Sequence, residues 1–232
     1  MAEIKITAHD GGTFNAYIAR PKNKSAAPVI IVIQEIFGVN KELRDKCDAL
    51  AADGYIAICP DLFWRIEPGI ELVDSIEEQL HRAFQLFGEF NVEEGMKDLQ
   101  STLTHARKLD GSSGQAGCIG YCLGGKLAYM MATQTDINAS VSYYGVMIET
   151  MLEEGKGVRQ PLMLHIAEED QFVPKAAQEK IKSALGKNPK ITIHTYPGAQ
   201  HAFARGQGMH YDAAAAKLAN QRTAEFLKES LS

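Results

Sequence analysis

The chain has 232 residues, 45% of them hydrophobic and 23% charged, which is ordinary for a single globular domain of this length. A formal net charge of −5 argues against nonspecific nucleic-acid binding. The longest apolar run, Pro28 to Ile33, is far too short to span a bilayer, and MAEIKITAHD is too polar for a signal peptide. The reading is a soluble, cytoplasmic protein with neither a nucleic-acid nor a membrane partner. Cys47, Cys59, Cys118 and Cys122 fit reduced, buried or catalytic roles better than a disulfide framework. The C-x3-C spacing of Cys118 and Cys122 has no second ligand pair nearby, which speaks against a zinc site.

In chain order, IKITAH and TFNAYIAR flank Asp10-Gly11-Gly12 and predict an antiparallel hairpin at a sheet edge. Pro28 to Ile33 is continuously apolar and β-branched, as expected for a strand buried on both faces. Asn40 is positioned to cap a helix whose Leu43, Cys47 and Leu50 recur at helical spacing. Gly54 ends that helix and YIAICP follows as a second buried strand. Residues 67–90 are polar and aromatic, with a helical pattern through Ile76, Leu80, Phe84 and Phe87, and are read as a lid or excursion. A helix from about Val92 to Lys108 precedes a strand around GQAGCIG, and another helix opens at Cys122. The strands SVSYYG, PLMLHIA and KITIHTY follow, with a helix after Pro174 and a last one from about Tyr211 to Lys228. This alternation predicts one α/β domain over residues 1–232, with a mostly parallel sheet and helices on both faces.

Parallel sheets place ligands at the carboxyl ends of their strands. Five polar residues stand there: Glu35, Asp61, Cys122, Asp170 and His201. Gly120-Tyr121-Cys122-Leu123-Gly124 has the G-x-nucleophile-x-G pattern of a sharp strand-to-helix turn, with cysteine in place of the commoner serine. At a helix N-terminus the dipole and free N–H groups favour a thiolate, and the Leu123 N–H is a candidate oxyanion donor. The same pentapeptide also suits a small buried residue in a glycine-rich turn. Asp170 and His201 follow Cys122 in the order nucleophile, acid, histidine, each after its own predicted strand. Glu168 and Glu169 compete with Asp170, whose distance from Val173-Pro174 favours it. His165 and His194 fall inside predicted strands and are expected to be packed, while His9, His81, His105 and His210 are expected at the surface.

These residues, together with Gln34-Glu35-Ile36-Phe37-Gly38, Pro60-Asp61-Leu62-Phe63-Trp64-Arg65 and Pro197-Gly198-Ala199-Gln200-His201-Ala202-Phe203, resemble the dienelactone hydrolase family. The matching pieces span most of the chain. The resemblance implies an α/β-hydrolase fold with a Cys122–His201–Asp170 triad, no cofactor or metal, and a monomer. It gives Glu35 the role of helping the thiol lose its proton, and makes the Ile36 N–H a second oxyanion donor beside Leu123. A carboxylate ending an apolar strand is costly to bury unpaired, and this role accounts for it. The family binds its substrate's carboxylate through arginines, which suit planar anions. Arg205 and Arg82 are the matching positions here. Ala202 departs from the serine often found after the histidine, so one hydroxyl near the substrate is missing. Trp64 and Phe37 are candidate pocket walls or core residues. The expected activity is cleavage of an enol-lactone or ester, dienelactone to maleylacetate in the leading case. The alternatives are a general carboxylesterase or thioesterase, and a noncatalytic binding protein on the same scaffold.

Overall fold

The computed structural model describes residues 2–22 and 26–231. It divides into two compact units, Met1–Gly117 and Cys118–Ser232, and the boundary falls inside strand β5, Ser112–Tyr121. The strand order is β1-β2-β4-β3-β5-β6-β7-β8.

In the first unit, β1 (Glu3–Thr7) and β2 (Thr13–Ala19) pair antiparallel, closing at Thr7↔Thr13. Gly11 turns the chain with φ 88°, and Asp10 accepts the Gly12 N–H at 3.0 Å, a local bond of the kind that makes aspartate a turn residue. Strand β4 (Ile56–Pro60) lies between β2, antiparallel, and β3 (Ala27–Ile33), parallel. Nearly every side chain of β3 and β4 is buried, whereas β1 buries one residue of its five. Continuous apolar runs thus mark strands covered on both faces, and mixed composition marks an edge.

Helix α1 (Lys41–Ala52) is capped by Asn40, which accepts the Leu43 N–H at 3.2 Å. Leu43, Cys47 and Ala51 form its buried stripe, so Ala51 takes the inward place read for Leu50. Helix α2 (Glu77–Glu89) covers the region read as an excursion. Its fully buried residues are Ala83 and Leu86, while Ile76 and Phe84 are exposed. The apolar pattern located the helix, and the burial falls along one margin of that pattern. Helix α3 (Val92–Arg107) starts at Asn91, whose side chain accepts the N–H groups of Glu93 and Glu94.

In the second unit, α4 (Leu123–Gln134) is buried from Leu123 to Ala132, as a run that is apolar or glycine at every position but Lys126 and Tyr129 favours. Strands β6 (Ala139–Tyr143), β7 (Leu162–Ala167) and β8 (Ile191–Tyr196) pair in parallel, with Leu164 opposite Ser142 on one side and Ile193 on the other. Between them lie the short α5 (Leu152–Gly155), which has no periodic signal in the sequence, and α6 (Lys175–Leu185). Helix α7 (Ala213–Ser230) starts two residues later than its sequence pattern suggests, because Asp212 caps it by accepting the Ala214 and Ala215 N–H groups at 3.0 Å. Among the described residues, no helix is long and apolar enough to cross a membrane.

Candidate active site

β5 ends at Tyr121 and α4 opens at Leu123, so the chain reverses at Cys122. Its φ of 56° and ψ of −114° are rare for an L-residue and persist only where neighbours enforce them. The Cys122 N–H donates to the Tyr143 carbonyl at 3.1 Å, and the Cys122 carbonyl accepts the Lys126 N–H at 3.1 Å. A Cβ on Gly120 would run into the Gly124 carbonyl, and one on Gly125 would sit 2.6 Å from the Tyr143 oxygen. Gly120 is therefore a steric requirement of the turn itself, and Gly125 a requirement of its approach to β6. The Leu123 N–H belongs to the first turn of α4, where donors have no partner within the helix.

His201 Nδ1 lies 2.8 Å from Asp170 Oδ2, with both side chains buried at 6% and 1% exposure. Glu168 and Glu169 face Lys175 instead, at 3.6 and 2.9 Å, so Asp170 is the acid of this loop that meets the histidine. The second Asp170 oxygen, Oδ1, accepts the Phe172 N–H at 2.8 Å. The Nε2 of His201 is buried and makes no hydrogen bond of ordinary length among the described residues. Burial opposes a charge on this ring, but the charge of Cys122 and the hydrogen bond to Asp170 outweigh it and raise its pKa to about 10. With Nδ1 committed to Asp170, Nε2 is the nitrogen left to face Cys122. Burial pushes the Cys118 thiol up to about 12 and raises the Cys59 thiol well above the ordinary range.

Two aromatic rings meet the imidazole edge-to-face: Tyr144 at 5.1 Å and 63°, and Phe172 at 4.8 Å and 75°. Both escaped the reading of polar strand ends, although Tyr144 directly follows β6 and Phe172 lies in the Asp170 loop. Among the described residues the non-glycine residues with positive φ are Cys122, Tyr144, Met147 and Ala202. Three of these are the elbow residue, a ring neighbour of His201 and the residue after His201. Such backbone costs roughly 1–3 kcal/mol per residue and gathers at functional sites.

The remaining candidates have these settings. Glu35 and Phe37 are buried at 3% exposure each, and Ile36 at 6%. The adjoining Gln34 accepts the Leu62 N–H at 2.9 Å, tying the end of β3 to the loop after β4. Asp61 serves that same loop, accepting the Phe63 and Gly69 N–H groups at 3.0 and 2.7 Å. Trp64 stacks on Phe14 and donates to Asp98 at 2.8 Å. Arg82 binds Glu67 at 2.9 Å and Glu89 at 3.4 Å. Arg205 is half-buried, in the loop after His201. His165 is buried within β7 and His194 half-buried within β8, as their strand positions suggest; His105 and His210 are half-buried where exposure was expected. Among the described residues, no group of three or more His, Cys, Asp or Glu could hold a metal ion.

Residues 14–231 match the sequence profile of the dienelactone hydrolase family. A protein of Azospirillum brasilense, provisionally called carboxymethylenebutenolidase, is 46% identical over 236 residues and the match covers both chains completely. The carboxymethylenebutenolidase of Pseudomonas putida is 41% identical over 224 residues, 97% of this chain and 94% of its own. Among solved structures, a provisionally assigned dienelactone hydrolase from Klebsiella pneumoniae superimposes with a TM-score of 0.88 at 27% identity, covering 98% of each chain. The fold is that of the α/β-hydrolases.

Proposed function

Because the chain belongs to the dienelactone hydrolase family, we propose that it hydrolyses a carboxylate-bearing enol-lactone or ester with Cys122 as nucleophile. Dienelactone, opened to maleylacetate, is the leading substrate. The observation that carries this reading is the buried His201–Asp170 pair, with Nε2 left for the residue at the strained elbow.

In this scheme the Cys122 thiolate adds to the substrate carbonyl, and the N–H groups of Leu123 and Ile36 receive the developing oxyanion. Collapse of the tetrahedral adduct breaks the ester C–O bond and releases an enolate, which His201 or solvent protonates. His201, kept in one tautomer by Asp170, then removes a proton from water, and the hydroxide attacks the thiol ester and frees Cys122. Glu35 takes the thiol proton when substrate binds and returns it to the freed Cys122 thiolate when product leaves, which restores the resting enzyme. An enolate is a good leaving group, which suits a cysteine nucleophile. Arg205 and Arg82 receive the substrate carboxylate, and Arg82 would exchange Glu67 for it. Because acidic partners already hold Arg82 and Ala202 supplies no hydroxyl, a neutral ester or thioester is the second reading.

The test is steady-state hydrolysis of cis- and trans-dienelactone and of short neutral aryl esters. Cys122→Ala is expected to lower lactone turnover by at least about a thousandfold, with an unchanged melting temperature. Substantial residual turnover would sink the mechanism. Preference for the neutral esters, unaffected by Arg205→Ala, would move the substrate to the second reading.

A further inference from the structure

The two oxygens of Asp170 serve one residue each. Oδ2 meets His201 Nδ1 at 2.8 Å, and Oδ1 accepts the Phe172 N–H at 2.8 Å, an aspartate turn closing on the residue two positions on. The ring of that same Phe172 contacts the imidazole at 4.8 Å and 75°. A single hydrogen bond at Nδ1 fixes the distance of the ring from Asp170 but leaves it free to swing about that bond. The contacts that limit such a swing are lateral ones, and Phe172 and Tyr144 provide them. Tyr144 is buried in the core, whereas Phe172 is 42% exposed. Substitution at 172 therefore removes the contact with little cost to folding. A flat, rigid ring also limits that swing through its edge-to-face contact, which a flexible aliphatic side chain of similar volume does not reproduce.

We propose that Phe172 is a positioning residue for His201, its ring holding the imidazole so that Nε2 stays aimed at the Cys122 sulfur. The inference rests on the Cys122–His201–Asp170 reading above and adds to it a member that never touches the reacting atoms. One loop, residues 170–172, then sets both the tautomer of His201 and its orientation.

The experiment compares Phe172→Ala, Phe172→Leu and Phe172→Tyr in the full chain, labelled with 15N-histidine. It reads kcat and KM on the lactone, iodoacetamide alkylation of Cys122 between pH 6 and 9, and the NMR resonance of the His201 Nδ1–H. Phe172→Ala is expected to lower kcat by about 10- to 100-fold, the scale set by small misplacements of a reacting group, with KM nearly unchanged. It should also slow alkylation near neutral pH and broaden the Nδ1–H resonance. Phe172→Tyr should restore all three readouts, and Phe172→Leu should stay near the alanine variant. Unchanged kcat and an unchanged resonance in Phe172→Ala would overturn the proposal. So would full rescue by leucine, failure of tyrosine to rescue, or an effect confined to KM, which would make Phe172 a substrate wall. If Cys122→Ala kept its activity, the proposed mechanism would fail, and the His201 resonance would still decide whether Phe172 orients that ring.

Discussion

Asp98 in the first unit and Asp170 in the second are alike in isolation, each about 1% exposed at the side chain and each bonded to a basic partner. Around Asp98 every polar group has its partner. Trp64 Nε1 donates to it at 2.8 Å, and Arg65 reaches it through Nη2 at 3.0 Å and Nε at 3.3 Å. Arg65 also lies over the Trp64 ring at 4.1 Å and binds Asp10 at 2.6 Å, and that hydrogen bond holds the Asp10 carboxyl down at about 2. Around Asp170 the chain of partners stops one atom short, at His201 Nε2, beside a cysteine with a strained backbone. A saturated buried network holds a fold together. An incomplete one, kept incomplete by backbone that costs energy, is the arrangement expected of chemistry.

Substitution of the two acids should separate these roles. Asp170→Asn keeps the shape but presents the wrong hydrogen-bonding group to Nδ1, and should reduce lactone turnover by about 10³–10⁴-fold while the melting temperature moves little. Asp98→Ala should do the reverse. It leaves the Trp64 N–H unpaired and Arg65 with one partner fewer, and should destabilise the protein by about 2–4 kcal/mol in urea unfolding, with kcat per folded molecule retained. A loss of kcat there at full stability would break the comparison.

A smaller effect separates two histidines within the second unit. His165 bonds Tyr196 and Thr223, and is held well below 6.5 by burial and by the nearby His194 and Arg222 charges. The unfolded chain takes up that proton near 6.5 and the folded chain does not, so His165 withdraws stability as pH falls below about 6.5. His201 runs the other way: its stabilising proton is fully present below 6.5 and is lost as pH rises through about 10. The melting temperature of His165→Gln should therefore lie below the wild type at pH 8 and fall less steeply between pH 6.5 and 5. An equally steep acid fall in the variant would assign the acid limb to other groups.

Much of this was legible in the order of residues. The buried strands β3 and β4 are readable because a strand covered on both faces is apolar at nearly every position, and β6 and β7 follow the same rule apart from Ser140, Ser142 and His165. Asn40 and the Asp10-Gly11-Gly12 turn are readable because their hydrogen bonds are made within a few residues. The inner margin of α2 was not legible, since its apolar pattern is wider than the face it buries. Neither were the structural commitments of Trp64 to Asp98 and of Arg82 to Glu67, made across 34 and 15 residues, nor the rings of Tyr144 and Phe172 on His201.

By itself the sequence determined which polar residues end the strands, because strand length and burial are written locally in runs of apolar residues. Only the tertiary structure decided which of those residues meet. β7 and β8 pair in parallel with Ala167 opposite Tyr196, so the loops leaving them run side by side, and Asp170 and His201 close a contact across 31 residues. Glu168 and Glu169, nearer the strand and equally acidic, turn toward Lys175. That choice depends on the direction each side chain takes from a loop held against its neighbour, through bonds such as Glu169 N–H to the Ala199 carbonyl at 2.8 Å, which local spacing does not encode.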